Sequence, residues 1–163
     1  MIEEFGCCLE QTLKRAGKLS IYDANMIGLG IAKALLPIHN AGIVHRDLKL
    51  SNILIKESKA ENSQRCQIKI CDFGLAQSLA DMVRKYDTAR VGTLAFQSPE
   101  ILELKEYSTQ SDIWSLGVIF YILVHGELPY PSDVYSNAET LNSTLFTSPI
   151  KFKKDYKAIS KLG

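Results

Sequence analysis

His45-Arg46-Asp47-Leu48-Lys49-Leu50-Ser51-Asn52 and, further on, Asp72-Phe73-Gly74 carry the chemistry of this chain. They set a carboxylate, a lysine, an amide and a second carboxylate in one order. An aspartate at Asp47 orients a hydroxyl and accepts its proton, while a lysine two residues on neutralises charge on a migrating phosphoryl group. Asn52 and Asp72 offer oxygen to a hard divalent cation. Phosphoryl transfer from a magnesium-bound nucleotide needs these groups in this order, so ATP and Mg²⁺ are the implied cofactors. On uniform composition such a match arises in a chain of 163 residues with a probability on the order of 10⁻⁴ or less.

Around this stretch the hydrophobic pattern switches between strand and helix. Ile53-Leu54-Ile55 and Gln67-Ile68-Lys69-Ile70 are two β-rich runs joined by a polar stretch, Lys56 to Arg65. They predict a small hairpin with a mobile connection, which brings Asn52 and Asp72 to neighbouring strand ends where they can share one metal. Upstream, Leu9 to Ala16 reads as a short helix stopped at Gly17. Ser20-Ile21-Tyr22-Asp23 resembles a capping box, and Ile27, Ile31, Ala34, Leu35 and Ile38 then recur at helical spacing as far as about Asn40. Pro37 predicts a kink or an early end there. Downstream, helices are expected over Glu100 to Leu104, from a cap at Ser111 to about Gly126, and over Val134 to Phe146. Residues 2–8 read as a strand end running into a linker.

The bulk numbers bound the function. Net charge is +1, with 19 basic against 18 acidic residues, and gives no general case for nucleic acid or an anionic membrane as partner. The apolar run Ile113 to Val124 is too short to span a bilayer. Cys7, Cys8, Cys66 and Cys71 lack C-x-x-C spacing, so reduced thiols of a cytoplasmic protein are expected rather than zinc or disulfides, with the nucleus an equally reducing alternative.

Further motifs follow in register. Gly92-Thr93-Leu94-Ala95-Phe96-Gln97-Ser98-Pro99-Glu100 looks like a substrate-docking loop closed by Ala-Pro-Glu, with Ser98 in place of the Ala. Asp112-Ile113-Trp114-Ser115-Leu116-Gly117 looks like the start of a buried central helix. Together with the first two motifs they make the chain resemble the eukaryotic protein kinases, and Lys49 resembles their Ser/Thr branch. The resemblance runs from about residue 2 to about residue 160. Ala95-Phe96-Gln97 adds a faint similarity to the calcium/calmodulin-dependent kinase-kinases that cannot carry a subfamily assignment.

The resemblance implies a mainly α fold: a kinase C-terminal lobe with a small β-hairpin at the active site and no N-lobe. Residues 1–163 would be a partial kinase domain, hinge plus C-lobe, truncated before the last helices. No G-x-G-x-x-G occurs in the sequence, and residues 1–163 alone are expected to have negligible activity. Asp47, Lys49 and Thr93 would be catalytic. Lys49, Asn52, Leu54 and Asp72 would contact the nucleotide, with Glu4 and Gly6 in the hinge, and Asn52 and Asp72 would hold the metal. Arg46 would pair with a phosphorylated residue of the 75–91 loop, Thr88 first and Tyr86 or Ser78 as alternatives, so an upstream kinase is a possible partner. His45, Phe73, Glu100 and Asp112 would be structural: His45 inward against Phe73, Asp112 anchoring the catalytic loop, and Glu100 needing a partner for its carboxylate. Cys71 could face the nucleotide, but a small buried residue closing a strand is the simpler reading.

Three functions stay open on the sequence. The first is a serine/threonine kinase acting on a protein substrate in its full-length context. The second is a catalytically idle binding or scaffold module. The third, a small-molecule kinase, is disfavoured because the Thr93–Glu100 loop is of the kind that cradles a polypeptide.

Overall fold

The computed structural model describes residues 6–57, 66–85, 91–104 and 106–152. Its framework is two helices packed together with a small sheet laid across one of them. Helix α2, Ile21–Asn40, turns Ala24, Ile27, Ile31 and Leu35 inward, and α5, Thr109–His125, meets them with Val118, Ile119, Ile122 and Leu123. These side chains form one cluster with Leu9 and Leu13 of α1, Leu9–Ala16. Burial of this apolar surface is the main stabilising term.

The helix ends follow from local chemistry. Gly17 closes α1 at φ 74°, where a side chain would be strained. The Ser20 hydroxyl accepts from the Asp23 amide at 3.1 Å and opens α2 as expected. Pro37 does not end the helix, which runs on to Asn40. A proline in the last turn forfeits a single main-chain bond, and the packed face outweighs it. At 20 residues α2 is also long and apolar enough to span a membrane by length and composition; here one face of α2 lies in the core.

The hairpin forms as predicted. Strands β3, Ile53–Glu57, and β4, Cys66–Ile70, pair antiparallel with Ile53 opposite Ile70 and Ile55 opposite Ile68. Those isoleucines share the face toward α2, and Leu54 and Lys69 share the other. The residues between the strands, 58–65, lie outside the described residues. Strand β1, only Cys7–Cys8, adds to β3 with Cys8 opposite Leu54. A second ladder, unforeseen in the sequence, pairs β2, Ile43–Val44, with β5, Gln77–Ser78.

Three helix boundaries differ from expectation. Helix α5 starts before Ser111: Ser108 is its cap, and its amide donates to the Ser111 hydroxyl at 3.2 Å. The span expected as one helix from Val134 is a 3₁₀ turn, Ser132–Ser136, and then α6, Ala138–Thr147, because Asn137 accepts from the Thr140 amide at 2.8 Å and restarts the helix. Part of the 75–91 loop is also helical. Helix α3, Leu79–Lys85, is capped by Ser78, whose hydroxyl accepts from the Asp81 amide and donates to its carboxylate. Helix α4 runs Pro99–Leu104, close to the expected span.

Candidate active site

The site is assembled where the loop after β2 meets the ends of β3 and β4 and the segment before α4. Its centre is Asp47, 8 % exposed. Oδ1 accepts from the Thr93 amide at 2.9 Å and from the Thr93 hydroxyl at 2.8 Å. Oδ2 accepts from Lys49 Nζ at 2.7 Å and, more distantly, from Asn52 Nδ2 at 3.4 Å. Lys49 Nζ also donates to the Thr93 hydroxyl at 3.1 Å, closing a triangle of Asp47, Lys49 and Thr93. The three expected catalytic residues are therefore in direct contact, although Thr93 lies 46 positions from Asp47. Charge-assisted hydrogen bonds of this kind are short and directional, so they fix the carboxylate's orientation.

Asn52 is buried at the end of the 3₁₀ turn Leu50–Asn52. Its Nδ2 donates to the Asp47 carbonyl at 2.9 Å. Its own carbonyl accepts from the Cys71 amide at 2.9 Å, which brings the residue before Asp72 alongside. The Asn52 side-chain oxygen receives only a long contact, 3.5 Å, from the Ser51 hydroxyl. Asp72 is exposed, and its Oδ1 receives only the Gly74 amide at 3.4 Å. One weakly engaged amide oxygen and one weakly engaged carboxylate suit Mg²⁺, a hard cation that keeps several waters. Among the described residues no three His, Cys, Asp or Glu side chains gather as a metal cage.

The loop is held from beneath by Asp112, which is 1 % exposed at the start of α5. Its Oδ2 accepts from the His45 amide at 2.9 Å and its Oδ1 from the Arg46 amide at 3.1 Å. His39, from the last turn of α2, donates Nε2 to Oδ2 at 2.8 Å. Nothing in the sequence had singled out His39 except its place at the helix end. His45 is fully buried, edge-on to Phe73 at 5.0 Å between ring centroids. Its Nε2 donates to the Cys71 carbonyl at 3.0 Å, and its Nδ1 accepts from the Asp47 amide at 3.3 Å. Both ring nitrogens are thus committed to main chain.

Arg46 and Asp72 both take the left-handed backbone region, at φ 66° and 64°. Positive φ is uncommon outside glycine, and two such residues flank the centre. Arg46 Nε donates to the Leu75 carbonyl at 2.6 Å, and its guanidinium lies 5.3 Å from the centroid of the Tyr107 ring. Thr88 and Tyr86, its expected phosphorylated partners, lie outside the described residues, as does Glu4 of the expected hinge. Gly6 is described and exposed, next to β1. Leu54, half-buried, sits on the sheet face turned from the core, beside Cys8.

Glu100 stands at the first turn of α4. Its side chain is only partly buried, and Oε1 accepts from the Ser111 hydroxyl at 3.2 Å. Cys71 is half-buried, one residue beyond β4. Burial first, then the Asp72 carboxylate and Cys8, push its thiol up from the ordinary value, away from reactivity.

The protein kinase domain family matches residues 1–162. The chain is 38 % identical over 153 residues to serine/threonine-protein kinase 33 of Bos taurus, covering 89 % of this chain and 30 % of that protein. It is 40 % identical over 139 residues to the dual specificity mitogen-activated protein kinase kinase dSOR1 of Drosophila melanogaster, covering 85 % and 32 %. A CDPK-related protein kinase of Daucus carota is 41 % identical over 127 residues, covering 78 % and 20 %. The chain thus spans no more than about a third of the length of these relatives.

Proposed function

The chain belongs to the protein kinase domain family, and from that premise we propose that it is the hinge and catalytic lobe of a serine/threonine kinase. In its full-length context it would transfer the γ-phosphate of ATP to a Ser or Thr hydroxyl of a protein substrate. One observation carries this reading: the Asp47 carboxylate is held on both oxygens by Lys49 and Thr93, two groups suited to the same transfer.

Phosphoryl transfer passes through a loose transition state, so positioning and charge matter more than base strength. Asp47, locked in orientation, would align the acceptor hydroxyl and take its proton late. Lys49, already at the carboxylate, would screen charge between donor and acceptor oxygens. Thr93 would keep the pair in register and favour an aliphatic hydroxyl as acceptor. Asn52 through its side-chain oxygen and Asp72 through its carboxylate would hold Mg²⁺. When bound, that ion neutralises charge on the β- and γ-phosphates. Leu54 would lie under the adenine, with Glu4 and Gly6 at its edge. Arg46 would read a phosphate on the 75–91 loop placed by an upstream kinase. Three free thiols among the described residues, Cys7, Cys8 and Cys71, suit a reducing intracellular setting.

The test is transfer from ATP to a Ser/Thr peptide by the full-length polypeptide that carries this chain. Asp47→Asn should lower kcat on the order of 10²–10⁴-fold. Asp72→Asn should lower it comparably and weaken Mg-ATP binding. Wild-type transfer by the Asp47 variant would remove the reading.

A further inference from the structure

Val91 is held at both of its main-chain polar groups by a single side chain. Its amide donates to the Tyr107 hydroxyl at 2.7 Å, and its carbonyl accepts the Tyr107 proton at 2.7 Å. A phenol supplies donor and acceptor at the end of one rigid arm. Gln97 Nε2 adds a bond to the same carbonyl at 2.8 Å. Gly92 follows, at φ 92°, and an added Cβ there would collide with the main-chain carbonyl of Arg46. Next comes Thr93, with its amide and hydroxyl both on Asp47. The chain from Val91 to Thr93 is therefore clamped at one end by Tyr107 and Gln97 and delivered at the other to the centre of the site.

The Tyr107 ring has a second task, because the Arg46 guanidinium lies over it at 5.3 Å. Tyr107 also stands five residues before Asp112, which holds the His45 and Arg46 amides. One short stretch, 107–112, thus braces the site twice: Asp112 from beneath the catalytic loop, Tyr107 from the facing segment.

The geometry points to Tyr107 as a positioning residue whose hydroxyl, through Val91 and Gly92, sets Thr93 against Asp47. This rests on the reading of Asp47 given above. The effect on the reaction is indirect: removing the hydroxyl frees Val91, widens the range of positions open to Thr93, and loosens Asp47 Oδ1. Positioning losses of this kind appear in kcat more than in nucleotide binding.

Tyr107→Phe in the full-length protein is the test, because it keeps the ring under Arg46 and removes only the hydroxyl. Amide hydrogen exchange resolved at Val91 and Thr93 should quicken about tenfold or more, while Ile119 to Leu123 of α5 exchange as before. With a Ser/Thr peptide, kcat per titrated active site should fall about tenfold with the KM for ATP unchanged. A merely structural role would lower the number of active sites and leave kcat per site intact. That result, or unchanged exchange at Val91 and Thr93, overturns the proposal. Failure of the Asp47 reading shows separately, as transfer that survives Asp47→Asn, and leaves the exchange measurement to decide the clamp.

Discussion

Ser98 illustrates how one atom can be read from sequence in kind but not in cost. It occupies the place of an alanine in the Ala-Pro-Glu pattern, and the structure buries it completely with no hydrogen-bond partner for its hydroxyl among the described residues. A buried hydroxyl without a partner costs on the order of 1–3 kcal/mol relative to water. Ser98→Ala is expected to raise stability by about 1 kcal/mol, read as a higher midpoint in urea denaturation at unchanged slope; a lower midpoint would mean the hydroxyl has a stabilising partner. At the same scale the structure sets His45 edge-on to Phe73 and the Asp112 carboxylate on the His45 and Arg46 amides. The left-handed backbone of Arg46 and Asp72 is not legible in the letters, because φ has no signature in a non-glycine side chain.

Elements were legible where their pattern was long and illegible where it was short. Twenty residues of α2 repeat the helical period several times, five-residue β4 alternates, and β3 opens on an apolar Ile-Leu-Ile run. The β2–β5 ladder has two residues a side and no period to read. Packing between elements was also hidden. Gly30 lies inside α2, and a Cβ there would lie 2.6 Å from Ile68 Cγ1 of β4. The missing side chain lets the hairpin settle on the helix. Gly30→Ala should therefore destabilise by about 1 kcal/mol, overpacking exceeding the gain in helix propensity. Ile68→Ala in the same chain should recover part of the loss, and a double-mutant cycle of denaturation midpoints measures the coupling. Additive effects would show that the two elements do not press on one another there.

At the scale of the molecule, the site is a meeting of helix ends. The last turn of α2 contributes His39, the first turn of α5 contributes Asp112, and the catalytic loop hangs between them. Asp112→Ala would strand two main-chain amides and one imidazole without their acceptor. It should cost about 3 kcal/mol in denaturant unfolding and depress transfer even at temperatures where the chain stays folded. Asp112→Asn, which keeps one acceptor oxygen, should fall between that variant and the parent. Equal stability of the alanine variant and the parent would mean that the loop is held by other means.

Residue types and spacing were enough to identify the protein kinase family: a carboxylate, a lysine, an amide and a second carboxylate in one order form a short-range pattern that survives in any reading of the letters. They also carried the hairpin and the long helices, because hydrophobic period is a local property. The contacts that make the groups work together came from folding alone. His39 beneath Asp112 and Tyr107 on Val91 join positions 73 and 16 apart. Such pairs are chosen by the packing of whole elements, and no local pattern encodes which distant side chain will arrive within 3 Å.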